Sequence, residues 1–127
     1  MAPVVPKGET KWRRLWAALA VLAALVIAWG SLTPGSELPE SLPWDKASHF
    51  IGYAGLAGLI GLAGVRLPQA LLISVLFGAA IEVAQIPVPG RFGGDWHDLL
   101  ANTLGAACAV SALNVLRYQQ GRRPVRG

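Results

Sequence analysis

Apolar and polar positions along this chain separate into four long hydrophobic stretches whose few polar interruptions fall near one end of each. Residues 15–32 and 50–65 contain no charge, residues 67–86 contain only Glu82, and residues 99–116 contain only Asn102, Thr103, Ser111 and Asn114 as polar groups. Each stretch comes close to the ~20 residues that cross a hydrocarbon core of ~30 Å, the second once the turn at 45–49 is counted with it. The pattern predicts an all-α integral membrane bundle of four transmembrane helices, at about 12–32, 46–65, 68–86 and 96–117. They form one domain over 11–118, between a disordered cytoplasmic segment 1–10 and a basic cytoplasmic tail 119–127.

Proline and glycine mark the joints. Thr33-Pro34-Gly35 and the prolines at 39 and 43 make the first connection irregular, Pro68 suits the first turn of a helix, and Pro87 with Pro89-Gly90 ends the third. Gly52, Gly55, Gly58, Gly61 and Gly64 recur every third residue. At 3.6 residues per turn that spacing winds around a helix, so close packing on several sides is expected of the second helix.

Composition agrees with the bilayer as solvent. The chain is 54% hydrophobic and 14% charged, with mean hydropathy +0.47, more apolar surface than one soluble core of 127 residues would hide. An inward N-terminus puts Lys7, Lys11, Arg13, Arg14, Arg66, Arg117, Arg122, Arg123 and Arg126 in the cytoplasm, nine of eleven basic residues, and leaves Lys46 and Arg91 outside. That distribution obeys the positive-inside rule and puts both termini in the cytoplasm. The net charge of +4 is then topology, and no nucleic-acid partner is expected. Trp12 and Trp16 at one edge and Trp29, Trp44 and Trp96 at the other fit interfacial belts. Lys11–Arg14 followed by an apolar run also resembles a signal peptide, but the run continues to Leu32, so segment one is expected to be retained. The single Cys108 is expected to be a small buried packing residue.

Candidate chemistry gathers at the outer edge. Asp45, His49 and Tyr53 are spaced i, i+4, i+8 and climb one helix face, Glu82 and Gln85 share the last turns of helix three, and Asp95, Asp98, Asn102 and Gly105 form a stripe opening helix four. Ionisable groups within hydrocarbon are costly and point to function. Bland roles compete: Asp95 fits a helix cap, Lys46 a snorkelling residue, Arg91 an interfacial anchor or the counter-ion of Glu82, and His97 an interfacial residue turned away from Asp98.

Ser31-Leu32-Thr33-Pro34, Asp45-Lys46 with His49-Phe50 and Tyr53, Glu82 with Gln85, Pro89-Gly90-Arg91, and Asp98 with Asn102 and Gly105 occur in the order and spacing of VanZ-like membrane proteins, which this chain resembles over residues 31–105. The resemblance implies a small multi-pass protein of the bacterial cytoplasmic membrane, in a family named after a teicoplanin-resistance protein. It carries ligand-site status to Asp45, Lys46, His49, Tyr53, Glu82, Gln85, Arg91, Asp98 and Asn102. The chain is short for that family, with minimal loops.

Three functions follow. One is a binding protein for an envelope lipid, a lipid-linked cell-wall intermediate or a lipoglycopeptide, with Lys46 and Arg91 on phosphate or carboxylate. Another is an intramembrane enzyme using His49 with Glu82 or Asp98 as acid and base. The third is a structural polar network fixing helix register. A divalent metal on His49, Glu82 and Asp98 is admissible by ligand type, but no spaced metal motif supports it and no cofactor is expected.

Overall fold

The structure, a computed structural model, describes residues 9–38, 45–91 and 93–122. Four helices follow one another, α1 (Glu9–Leu32), α2 (Asp45–Leu62), α3 (Leu67–Gln85) and α4 (Trp96–Arg122), with a short 3-10 turn at Gly35–Glu37. Helix α1 therefore starts three residues before the expected position and α4 runs five residues past it into the basic tail, so residues 9, 10 and 119–122 are helical. The expectations of disorder at 1–8 and for the tail beyond 122 lie outside the described residues, as does Trp44.

Local chemistry sets the ends. Helix α2 stops at Leu62 instead of continuing to Val65, because Gly64 adopts φ +100°, a left-handed backbone that only glycine takes without strain and that commonly closes helices. Pro68 stands in the first turn of α3, where its missing N–H is no loss.

The helices alternate in direction, which gathers like with like. At one end, the carbonyl of Pro89 accepts the N–H of Gly35 at 2.9 Å, joining the α1–α2 and α3–α4 connections. At the other end, the Arg13 side chain of α1 reaches the backbone of Gly64, and Arg117 Nη2 of α4 donates to the carbonyl of Gly61 at 2.9 Å. The basic residues Arg13, Arg66 and Arg117 thus share the end opposite the polar stripes.

Helix α2 is the centre: it touches α1, α3 and α4, whereas α1 and α4 do not meet. Its glycines explain this. A side chain at Gly52 would meet Ile27 of α1, at Gly58 Ala109 of α4, and at Gly61 both Leu113 of α4 and Leu67 of α3. The three-residue glycine spacing winds around α2, and Gly52, Gly58 and Gly61 admit different neighbours.

Outward surfaces are largely apolar. Val21, Leu22, Leu25, Ile51, Leu72, Leu76, Val83, Leu104 and Val115 are exposed, a distribution that suits lipid and not water. Three helices are long and apolar enough to cross a membrane: Thr10–Leu32 with mean hydropathy 2.2, Leu67–Gln85 with 1.8 and Trp96–Gly121 with 1.7. The expectation for Cys108 is corrected. It is exposed, because α4 packs only on α2 and α3 and Cys108 points away from the face that carries buried Asn102 and Ala106.

Candidate functional site

Helices α2 and α4 run parallel and in step, and that register builds the site. Lys46 of α2 pairs with Asp98 Oδ1 of α4. One turn deeper, His49 Nδ1 donates to Asn102 Oδ1 at 2.9 Å. One turn deeper again, Gly105 lies against the backbone of Phe50 so closely that a Cβ would overlap the Phe50 carbonyl. Glycine at 105 lets the two backbones approach, and the approach lets a histidine and an asparagine meet within the bundle. The oxygen acceptor places the imidazole proton on Nδ1, so Nε2 faces Asp98 Oδ2 at 3.9 Å.

Helix α3 completes the cluster. Glu82 is buried, with 4% of its surface exposed. Its Oε2 accepts the backbone N–H of Asp95 at 3.1 Å, while its own carbonyl accepts the N–H of Gly94 at 3.1 Å. The loop after α3 folds back tightly enough for this because Gly94 has φ +76° and Gly93 lies against the backbone of Gln85 and Ile86. A ring nitrogen of His49 and a carboxylate oxygen from each of Glu82 and Asp98, on three different helices, all lie within 4.8 Å of one another.

Asp95 caps α4. Its Oδ1 accepts the N–H of His97 at 2.9 Å and its Oδ2 lies 3.3 Å from Lys46 Nζ, and the His97 amide first and Lys46 second hold its carboxyl below the usual range. His97 is exposed, with its ring 3.8 Å from that of Trp96 and Nδ1 3.3 Å from Asp95, outside the cluster. Lys46 turns inward onto two acids instead of snorkelling outward. Arg91 forms no ion pair with Glu82 among the described residues; it lines the cavity mouth.

Gln85 has a separate function. Its Nε2 donates to the carbonyl of Ser31 at 2.9 Å, one of the carbonyls that the end of α1 leaves without a helical partner. This bond ties α1 to α3. Replacing Gln85 with Met is expected to lower stability by about 1–2 kcal/mol and to speed hydrogen exchange selectively over residues 24–32, as read by mass spectrometry. Exchange rising equally in all four helices would contradict a local tie.

Two cavities meet at this end. A polar one of about 300 Å³ is lined by Lys46, His49, Gln85, Gly90, Arg91, Asp95 and Asp98. A larger one of about 610 Å³ runs between α1 and α2 past Ile27, Trp29, Ser31, His49, Gly52 and Tyr53 to Arg91. His49 and Arg91 belong to both.

A family model described as VanZ/LLP1 matches residues 7–117, nearly the whole chain. The chain belongs to the VanZ/LLP1 family. No curated protein and no solved structure matches it.

The residues that carried the resemblance converge in this VanZ/LLP1 member. Lys46, His49, Glu82, Asp98 and Asn102 form one network, Gln85 and Arg91 line its edge, and Tyr53 lies beneath it, 2% exposed, its ring 6.1 Å from that of Phe77. Asp45 opens α2 with its backbone, and its side chain is outside the described residues. Sequence reasoning missed the Asp95 amide as a partner of Glu82, the carbonyl of Ser31, and Ser74, which is wholly buried in α3. The Gly93-Gly94 pair next to Asp95 was the available signal for the first of these.

Proposed function

We propose that this VanZ/LLP1 protein is a receptor for an amphipathic lipid of the bacterial cell envelope. The headgroup occupies the polar chamber and the acyl or isoprenoid chain lies in the groove between α1 and α2. One observation carries this: the polar cavity and the apolar groove share His49 and Arg91, so a single ligand with one wet and one oily end fits both. Lys46 and Arg91 supply cations for phosphate or carboxylate, and Gln85 and Asp95 supply acceptors for sugar or amide groups. Lipid-linked cell-wall intermediates and lipoglycopeptides such as teicoplanin have this build, and phospholipids are its simplest form.

The topology that goes with this reading is multi-pass in the cytoplasmic membrane. Helix α2 is the fourth span: 18 residues at 1.5 Å each reach about 27 Å, and it packs against all three apolar helices. Arg13, Arg66 and Arg117 at the far end support a cytoplasmic position for that end and for both termini. The chamber then opens outward. The convergence of His49, Glu82 and Asp98 also favours acid/base chemistry on the bound headgroup as a second reading.

Native mass spectrometry of protein gently extracted from its own membrane tests the proposal, with wild type beside Gly52→Phe, Glu82→Gln and Asp98→Asn. Wild type is expected to carry a defined lipid adduct. Gly52→Phe, which fills the groove and leaves the chamber alone, is expected to lose it at least tenfold, about 1.4 kcal/mol of affinity. An adduct equally abundant in all four proteins, or none in any, removes the receptor reading. A product of altered headgroup appearing only with wild type promotes the enzymatic one.

A further inference from the structure

We infer that His49, Glu82 and Asp98 form a binding site for one divalent transition-metal ion, zinc or manganese, at the floor of the polar chamber. The donor atoms come from α2, α3 and α4 and lie within 4.8 Å of one another. Donors around one zinc ion, at ~2.0–2.2 Å each, stand about 3.4 Å apart in a tetrahedron. The 3.9 Å between His49 Nε2 and Asp98 Oδ2 therefore needs a closure of about 0.5 Å, and the widest separation, at most 4.8 Å, one of up to about 1.4 Å. One imidazole and two carboxylates suit zinc, manganese or iron better than calcium or magnesium, which prefer all-oxygen shells.

Two features beyond the cluster point to a cation. Glu82 is buried, its Oε2 is held by the Asp95 amide, and its Oε1 is buried with no hydrogen-bond partner among the described residues. A buried carboxylate with an unsatisfied oxygen beside a second buried acid is costly unless a cation or a proton completes it. Each of the three residues is also held through one atom, which leaves it a second: Asp98 Oδ1 by Lys46, His49 Nδ1 by the side-chain oxygen of Asn102, and Glu82 Oε2 by a backbone amide. Outer partners of this kind fix the ring tautomer and the carboxylate pose around bound metals. His49 and Asp98 also line the polar chamber, with Glu82 buried behind them, and the site stands whether or not a lipid binds there.

Tag-free protein in detergent, stripped with EDTA and dialysed against zinc or manganese, is to be assayed for metal per chain by elemental mass spectrometry, together with its thermal midpoint. One ion per chain and a raised midpoint are expected for wild type. His49→Gln and Glu82→Gln are expected to lose stoichiometric metal. Asn102→Leu is expected to bind 10–100-fold more weakly, and His97→Ala, at the exposed histidine outside the cluster, to bind normally. Unfolding of one variant leaves the others to decide, and circular dichroism identifies it. Substoichiometric metal in wild type, or equal loss in His97→Ala, overturns the assignment in favour of a proton shared between Glu82 and Asp98.

Discussion

Replacing Gly105 with alanine is expected to be among the most damaging single-methyl changes in this protein. The added Cβ would overlap the carbonyl oxygen of Phe50 and crowd its carbonyl carbon and Cα. Those atoms belong to the backbone of another helix, so no flexible side chain can swing aside, and α2 and α4 must separate. Overpacking of this kind costs roughly 1–3 kcal/mol and sometimes more. Separation at 105 also pulls Asn102 from His49 and Asp98 from Lys46, since these pairs sit one and two turns along the same seam. A loss of about 3 kcal/mol or more is therefore expected. Gly55→Ala supplies the internal control: nothing lies within 4 Å of its would-be Cβ, and alanine in a helix interior is worth about 0.5–1 kcal/mol over glycine. The thermal midpoint in detergent should fall steeply for one variant and hold or rise for the other. Similar midpoints would mean that α2 and α4 do not cross at Gly105.

The contrast between those glycines also marks how far the sequence could be read. Apolar runs made three membrane-length helices plain, and the crowding of polar residues at one end of each run anticipated their meeting, because antiparallel succession forces alternate ends together. The glycine spacing in α2 announced close neighbours but not which glycine met which helix; periodicity fixes angle around an axis and says nothing of the facing surface. Gly55 and Gly58 look alike in sequence, yet only Gly58 faces Ala109. Cys108 was misjudged for the same reason, since its exposure depends on which side of α4 lacks a partner. Backbone partners were the least legible. The Ser31 carbonyl on Gln85 and the Pro89 carbonyl on Gly35 carry no residue-type signature, the Asp95 amide on Glu82 only the indirect one of the neighbouring glycine pair, and side chains that looked unmatched in sequence found main-chain groups instead.

Lys46 is the residue for which sequence and structure differ most in energetic consequence. A lysine at a membrane edge that reaches outward contributes little, whereas this one pairs with Asp98, whose side chain is 9% exposed, and with Asp95. Its own side chain is 29% exposed, which dilutes the interaction without abolishing it. Lys46→Met removes the cation and leaves Asp98 facing the neighbouring Glu82 carboxylate without compensation. Breaking a buried pair from one side typically costs 3–5 kcal/mol, and the partial exposure of Lys46 puts the expectation near the lower end, about 3 kcal/mol. Asp98→Asn is expected to cost less, because Lys46 keeps Asp95 and the amide keeps an oxygen for hydrogen bonding. In the Lys46→Met background, Asp98→Asn should then be stabilising, since it removes the stranded charge. Urea or thermal unfolding in detergent, with EDTA present so that bound metal contributes nothing, closes the cycle. A coupling of about 1.5–2 kcal/mol is expected, within the span seen for residues sharing one network. Strict additivity would return Lys46 to the membrane surface and leave Asp98 to be held without it.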